Sequence, residues 1–176
     1  MERTNSYFED KYGYLIYKNN SLSQLLMQAE IDVLGISIDE EGNHIYAIDV
    51  AFHEAGLNYG TKEETITRVI KKCIRTAMCI FGYIGKDTAE IIFASPKINP
   101  VIIKDLAPKF NEINSILATL GLNFTTRLIA NEEFNGKVLE PILLASGGIS
   151  DTSELFLRSY QMYSMFSEKA SRSIKA

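Results

Sequence analysis

Apolar residues in this chain switch between two periods, and the switches divide it into elements. Residues 31–38 (Ile-Asp-Val-Leu-Gly-Ile-Ser-Ile) and 44–53 (His-Ile-Tyr-Ala-Ile-Asp-Val-Ala-Phe-His) are short runs rich in β-branched and aromatic side chains, which predicts two strands. The polar cluster Asp39-Glu40-Glu41-Gly42-Asn43 between them reads as a turn, so the pair is expected to form an antiparallel hairpin. Upstream, Leu22, Leu25 and Leu26 predict a short helix over 21–28.

Downstream the period changes to that of a helix. Thr61-Lys62-Glu63-Glu64 is a capping-box sequence, and Ile66, Ile70, Cys73, Ala77 and Ile80 follow at three- and four-residue spacing. That helix is expected to stop near Gly82 or Gly85. Residues 90–95 (Glu-Ile-Ile-Phe-Ala-Ser) predict a buried strand. Asn99-Pro100 starts a second long helix directed toward Gly121, with a bend expected at Pro108. Residues 124–130 predict a fourth strand.

Asp151-Thr152-Ser153-Glu154 is a second capping-box sequence, opening a C-terminal helix with Leu155, Phe156, Tyr160, Tyr163 and Phe166. Those aromatics are expected to pack in a core, with a homodimer face as the second reading. Strands alternating with helices imply an α/β fold, a mixed sheet flanked by helices with a C-terminal helical extension. Residues 1–170 are read as one domain, with a frayed tail over 171–176.

Composition narrows the chemistry. Hydrophobic residues make up 46% and charged residues 23% of the 176 positions, a globular balance. No long uninterrupted apolar run occurs, so no secretory signal or membrane span is expected, and the cytoplasm is the expected location. Cys73 and Cys79 lie six apart on one predicted helix and cannot pair; with only His44 and His53 besides, a Cys/His zinc site is not expected. The same scarcity of histidine argues against a Ser-His-Asp hydrolase, and no phosphate-loop or dinucleotide fingerprint occurs. The formal net charge of −4 disfavours a broad phosphate-binding surface but suits an acidic, cation-binding site.

Acidic residues concentrate on the hairpin. Glu30 and Asp32 are two apart, and Asp49 lies between Ile48 and Val50, a costly place for an unpartnered charge. Asp49, Ala51 and His53 are expected to share one strand face. Pairing across the turn brings Asp32 opposite Asp49 or Ala51, and a one-residue slip would separate them. In matched register Glu30, Asp32 and Asp49 converge, and a divalent cation relieves such repulsion; oxygen-only ligands select magnesium, manganese or calcium.

On these residues the chain resembles the PD-(D/E)xK nuclease superfamily, whose core places an acidic residue at the start of one strand and (Asp/Glu)-x-Lys on the next, with a helix and a further strand after them. Ile31-Asp32-Val33 matches the first element and Asp49-Val50 begins the second. The helix from Thr61 and the strand at 90–95 match the remaining two, so the resemblance covers roughly residues 20–97. The resemblance implies a restriction-endonuclease-like fold and Mg2+- or Mn2+-dependent hydrolysis of a nucleic-acid phosphodiester, with DNA ahead of RNA as the substrate. It implies Asp32 and Asp49 as ligands, with Glu30 as the additional one and Glu9 as an alternative for that role. The chain departs from the motif at the lysine position, where Ala51 stands. Some members supply that lysine from the following helix, which here offers Lys71 or Lys72 beside Arg68 and Arg75. His53 is a further candidate base or phosphate contact, a structural histidine being the plainer reading. A catalytically silent binding or regulatory module on the same fold is the alternative.

Overall fold

The computed structural model describes residues 2–13, 15–17, 31–40, 42–146, 154 and 156–164. Two compact units make up the chain, Met1–Asn131 and Glu132–Ala176. The first holds helix α1 (Glu2–Tyr12), strands β1 (Val33–Asp39) and β2 (Gly42–Val50), helix α2 (Lys62–Cys79), β3 (Thr88–Ser95), α3 (Pro100–Thr119) and β4 (Asn123–Ala130). The fold is mixed α/β.

Its sheet has four strands in the order β1-β2-β3-β4. The hairpin is antiparallel, closing at Asp39↔Gly42, while β2–β3 and β3–β4 are parallel. Each parallel step needs a crossover, and α2 and α3 supply them. The two helices pack against each other. Alternation along the strands sets the core: Ile45, Ala47, Ala89, Ile91, Phe93 and Phe124 are buried facing Val69, Ile70, Cys73, Ile74, Leu106, Phe110, Ile113 and Leu117. The buried residues of α2 fall at helical spacing, so one stripe of that helix faces the sheet.

Local signals explain where the helices begin. The Thr61 hydroxyl accepts from the Glu64 amide at 3.2 Å, and the Glu64 carboxylate accepts from the Thr61 amide at 2.7 Å. Gly60 before it has φ +119°, and a Cβ there would lie 2.3 Å from the Glu64 carboxylate, so only glycine fits beside the box. Thr61→Ala is expected to cost about 1 kcal/mol, read as a lower denaturant midpoint with unchanged slope. The Asn99 side chain accepts from the Val101 amide at 2.9 Å, with Pro100 at the first helical position.

The end of α2 stands at one of the two expected glycines, while the end of β2 differs from expectation. Helix α2 runs on through a π-helical turn, Ile80–Ile84, and ends at Gly85 in the left-handed region. Helix α3 continues through Pro108 without a break. Lys104, the residue whose carbonyl loses a partner there, is exposed, so water can take the missing donor's place. Strand β2 ends at Val50 rather than at His53: the Ala51 amide still donates to the Ala94 carbonyl, but the Gly56 amide then donates to the His53 carbonyl in a turn.

Helix α1 carries no cap or periodic signal in the sequence. It is held by Asn5, whose Oδ1 accepts from the amides of Ile16 and Tyr17 at 3.0 and 2.9 Å while its Nδ2 donates to the Tyr17 carbonyl. Tyr12 and Lys11 reach Glu112 on α3. In the second unit a helical turn, Glu132–Phe134, passes through the π-helical turn Asn135–Leu139 into a helix, Glu140–Ser146. Residues 156–164 are helical, and the Glu154 carboxylate accepts from the Leu157 amide. Asp151, Thr152 and Ser153 lie outside the described residues, as do the helix expected over 21–28 and the tail expected over 171–176. Phe156 and Tyr163 are 50% and 70% exposed, so they do not form the core expected of them.

Candidate functional site

The hairpin register decides which acids meet. Val33↔Ile48 is the last pair of the ladder, and Asp32 stands one residue beyond it. At this end the ladder loosens: the Asp32 amide donates to the Ile48 carbonyl, and its carboxylate Oδ2 accepts from the Val50 amide at 2.6 Å. Asp32 thus stands in for a carbonyl at the end of the ladder.

Asp49 points into the core. Only 3% of it is exposed, on the face it shares with the small side chains of Ala47 and Ala51. A carboxylate so placed needs a counter-charge, and Lys72 of α2 provides it. The Lys72 ammonium lies 3.0 Å from each Asp49 oxygen, with side-chain exposures of 11% and 5% for lysine and aspartate. Beside the pair, burial pushes the Cys73 thiol far above its usual pKa, and the negative charge of Asp49 adds to the shift.

The other candidates disperse. Lys71, half-buried one position earlier, has its ammonium pKa lowered by burial and then by the positive charge of Arg75. The Arg75 Nε donates to the Ile16 carbonyl at 2.8 Å, and the Arg68 guanidinium lies over the Tyr59 ring at 4.7 Å. The basic residues of this helix therefore hold specific partners rather than forming one solvated face. His53 sits in the loop after β2, edge-on to Tyr59 with ring centroids 5.0 Å apart, and does not continue the strand face of Asp49. Glu9 is exposed on α1. Glu30 lies outside the described residues.

No family model, curated protein or solved structure matches the chain. Its chemistry has to be argued from its own side chains.

Among the described residues no group of three or more His, Cys, Asp or Glu is placed to hold a metal ion. Two of the three expected carboxylates, Asp32 and Asp49, are described, and they are hard oxygen donors. Magnesium and manganese keep several waters and take one or two protein carboxylates; here both Asp49 oxygens lie on the Lys72 ammonium and Asp32 Oδ2 on the Val50 amide. A further signal for Lys72 lies in the small residues of β2. Alanines two before and two after Asp49 leave space on its face, and space above a buried acid invites a long cationic side chain from the covering helix.

Proposed function

We propose that Asp49, Lys72 and Asp32 form the working part of a divalent-metal-dependent phosphodiester hydrolase acting on nucleic acid, DNA before RNA, on a restriction-endonuclease-like core. The observation that carries this reading is the lysine. Ala51 occupies the motif position, yet an ammonium from the next helix reaches both oxygens of the strand carboxylate at 3.0 Å. The order of hairpin, helix and parallel strand agrees with the resemblance as well, and Asp32 lies one residue beyond the last hairpin pair, Val33↔Ile48.

Each residue then has a definable task. Asp49 and the second oxygen of Asp32 would hold a magnesium or manganese ion, which supplies an acidified water and offsets charge on the phosphate. Lys72 would give up one of its two bonds to Asp49 and orient the attacking water, its charge kept close by the remaining bond. Burial strengthens these electrostatic contacts relative to water.

One observation favours the second reading, a silent binding or regulatory module. Lys72 already balances the Asp49 charge, as a purely structural ion pair would. Cleavage assays separate the two. Labelled single- and double-stranded DNA and RNA are incubated with Mg2+, with Mn2+ or with chelator. The nuclease reading predicts metal-dependent cleavage that falls at least a hundredfold in Asp49→Asn and in Lys72→Met, both checked for native circular dichroism. No metal-dependent cleavage of any of these substrates would leave the silent module.

A further inference from the structure

Strand β1 is the edge of the sheet, and no described strand lies beyond it. Its residues Val33-Leu34-Gly35-Ile36-Ser37-Ile38 include no charge and no proline. Natural edges are usually blunted by lysine, proline, bulges or brevity, and none of these occurs in this stretch. The apolar side chains are also open. Leu34, Ile36 and Ile38 are 48%, 60% and 80% exposed, and Val33 is 50% exposed. Leu34 and Ile36 pair with Ala47 and Ile45, which are buried beneath the helices. The three large residues at 34, 36 and 38 therefore form a row on the helix-bearing face, increasingly open toward the hairpin turn.

We propose that this edge pairs with the β1 edge of a second copy of the chain, antiparallel about a two-fold axis through Ile36. The register follows from geometry. Alternate residues of an edge strand point their backbone groups outward, and only those can bond to a partner. Two antiparallel copies of one strand can satisfy this only if the axis passes through a residue. The midpoint of Val33–Asp39 is Ile36. On the helix-bearing face Ile36 then meets its own mate, and Leu34 meets the mate of Ile38, so every exposed member of the row packs on another. On the opposite face Gly35 meets Ser37, and neither obstructs the approach.

The interface is self-complementary, as a two-fold contact requires. It adds about six backbone hydrogen bonds along an edge about 23 Å long. That is a narrow strip beside the roughly 800 Å² per partner of a standard interface, so the association is weak and concentration-dependent. Asp32 of one copy faces Glu40 of the other at each end, and this repulsion is relieved as salt rises. The dimer tightens with ionic strength.

Disulfide trapping reads the register. In Ile36→Cys the two thiols sit on the axis with Cα atoms about 4.5–5.5 Å apart, within disulfide reach. In Leu34→Cys the equivalent atoms are about 13 Å apart and cannot join. The native thiols, Cys73 and Cys79, are buried and do not interfere. The expected result is a covalent dimer from Ile36→Cys under mild oxidation, none from Leu34→Cys, and sedimentation of the unmodified protein that shifts toward dimer with concentration and salt. Equal trapping of both variants would mean random collision and overturn the proposal. So would a strict monomer at high micromolar concentration, with no trapping at position 36; the apolar row would then be covered from within the chain.

Discussion

Lys72→Met is expected to destabilise the fold by about 3–5 kcal/mol, because it leaves the Asp49 carboxylate in the core with its bidentate partner removed. The side chains of Asp49 and Lys72 are 5% and 11% exposed, so water cannot replace the lost bonds without opening the contact between α2 and β2. Methionine keeps most of the lysine stem, which separates the loss of charge from the loss of packing. Asp49→Asn is the complementary change; it leaves the ammonium buried without a counter-charge. Replacing both together, Asp49→Leu with Lys72→Met, is expected to cost less than Lys72→Met alone, since no charge remains in the core. Denaturant unfolding of the four proteins checks this. A Lys72→Met midpoint close to that of the unmodified chain would show that the pair opens to solvent and is not the buried contact described.

Asn5→Ala is the second large effect expected, a loss of about 3 kcal/mol or more from three backbone groups left without partners. The Asn5 side chain serves the amides of Ile16 and Tyr17 and the Tyr17 carbonyl, and Asn5, Ile16 and Tyr17 are all buried. It is the clasp that fixes the start of α1 against the segment after it, and Phe8 is brought into the core by the same helix. Ser6→Ala, at the exposed neighbouring position, is expected to change stability by less than about 0.5 kcal/mol. Comparable unfolding midpoints for the two variants would contradict this role for Asn5.

The same contrast explains what the sequence revealed. Elements with local chemistry were legible: the Thr61–Glu64 box, the Asn99-Pro100 start and the acidic turn between β1 and β2 all stand where expected. Helix α1 was not, because its anchor is one asparagine bonding across eleven or twelve residues, which leaves no periodic trace. No element was expected directly after β4, where the helical segment carries Gly136 and Pro141, both poor helix formers.

The site was half legible. A charge between Ile48 and Val50 marked Asp49, and the resemblance directed attention to lysines on the next helix. Lys71 and Lys72 are adjacent, about 100° apart around the helix axis, and the choice between them depends on how α2 sits on the sheet. His53 was misplaced because the apolar run continues through Ala51 and Phe52, while the backbone turns away after Ala51 pairs with Ala94. The unblunted edge of β1 was in plain view as an uncharged run, but that it is an edge depends on the strand order, which only the fold supplies.

The most direct test of the central claim is calorimetric titration of Mn2+ into the unmodified protein and into Asp49→Asn, with folding of both verified. The account predicts binding by the unmodified protein that is lost, or weakened at least tenfold, in the variant. Equal binding by both would place the metal elsewhere, and no binding by either would contradict the metal-dependent hydrolase and leave Asp49–Lys72 as a structural ion pair.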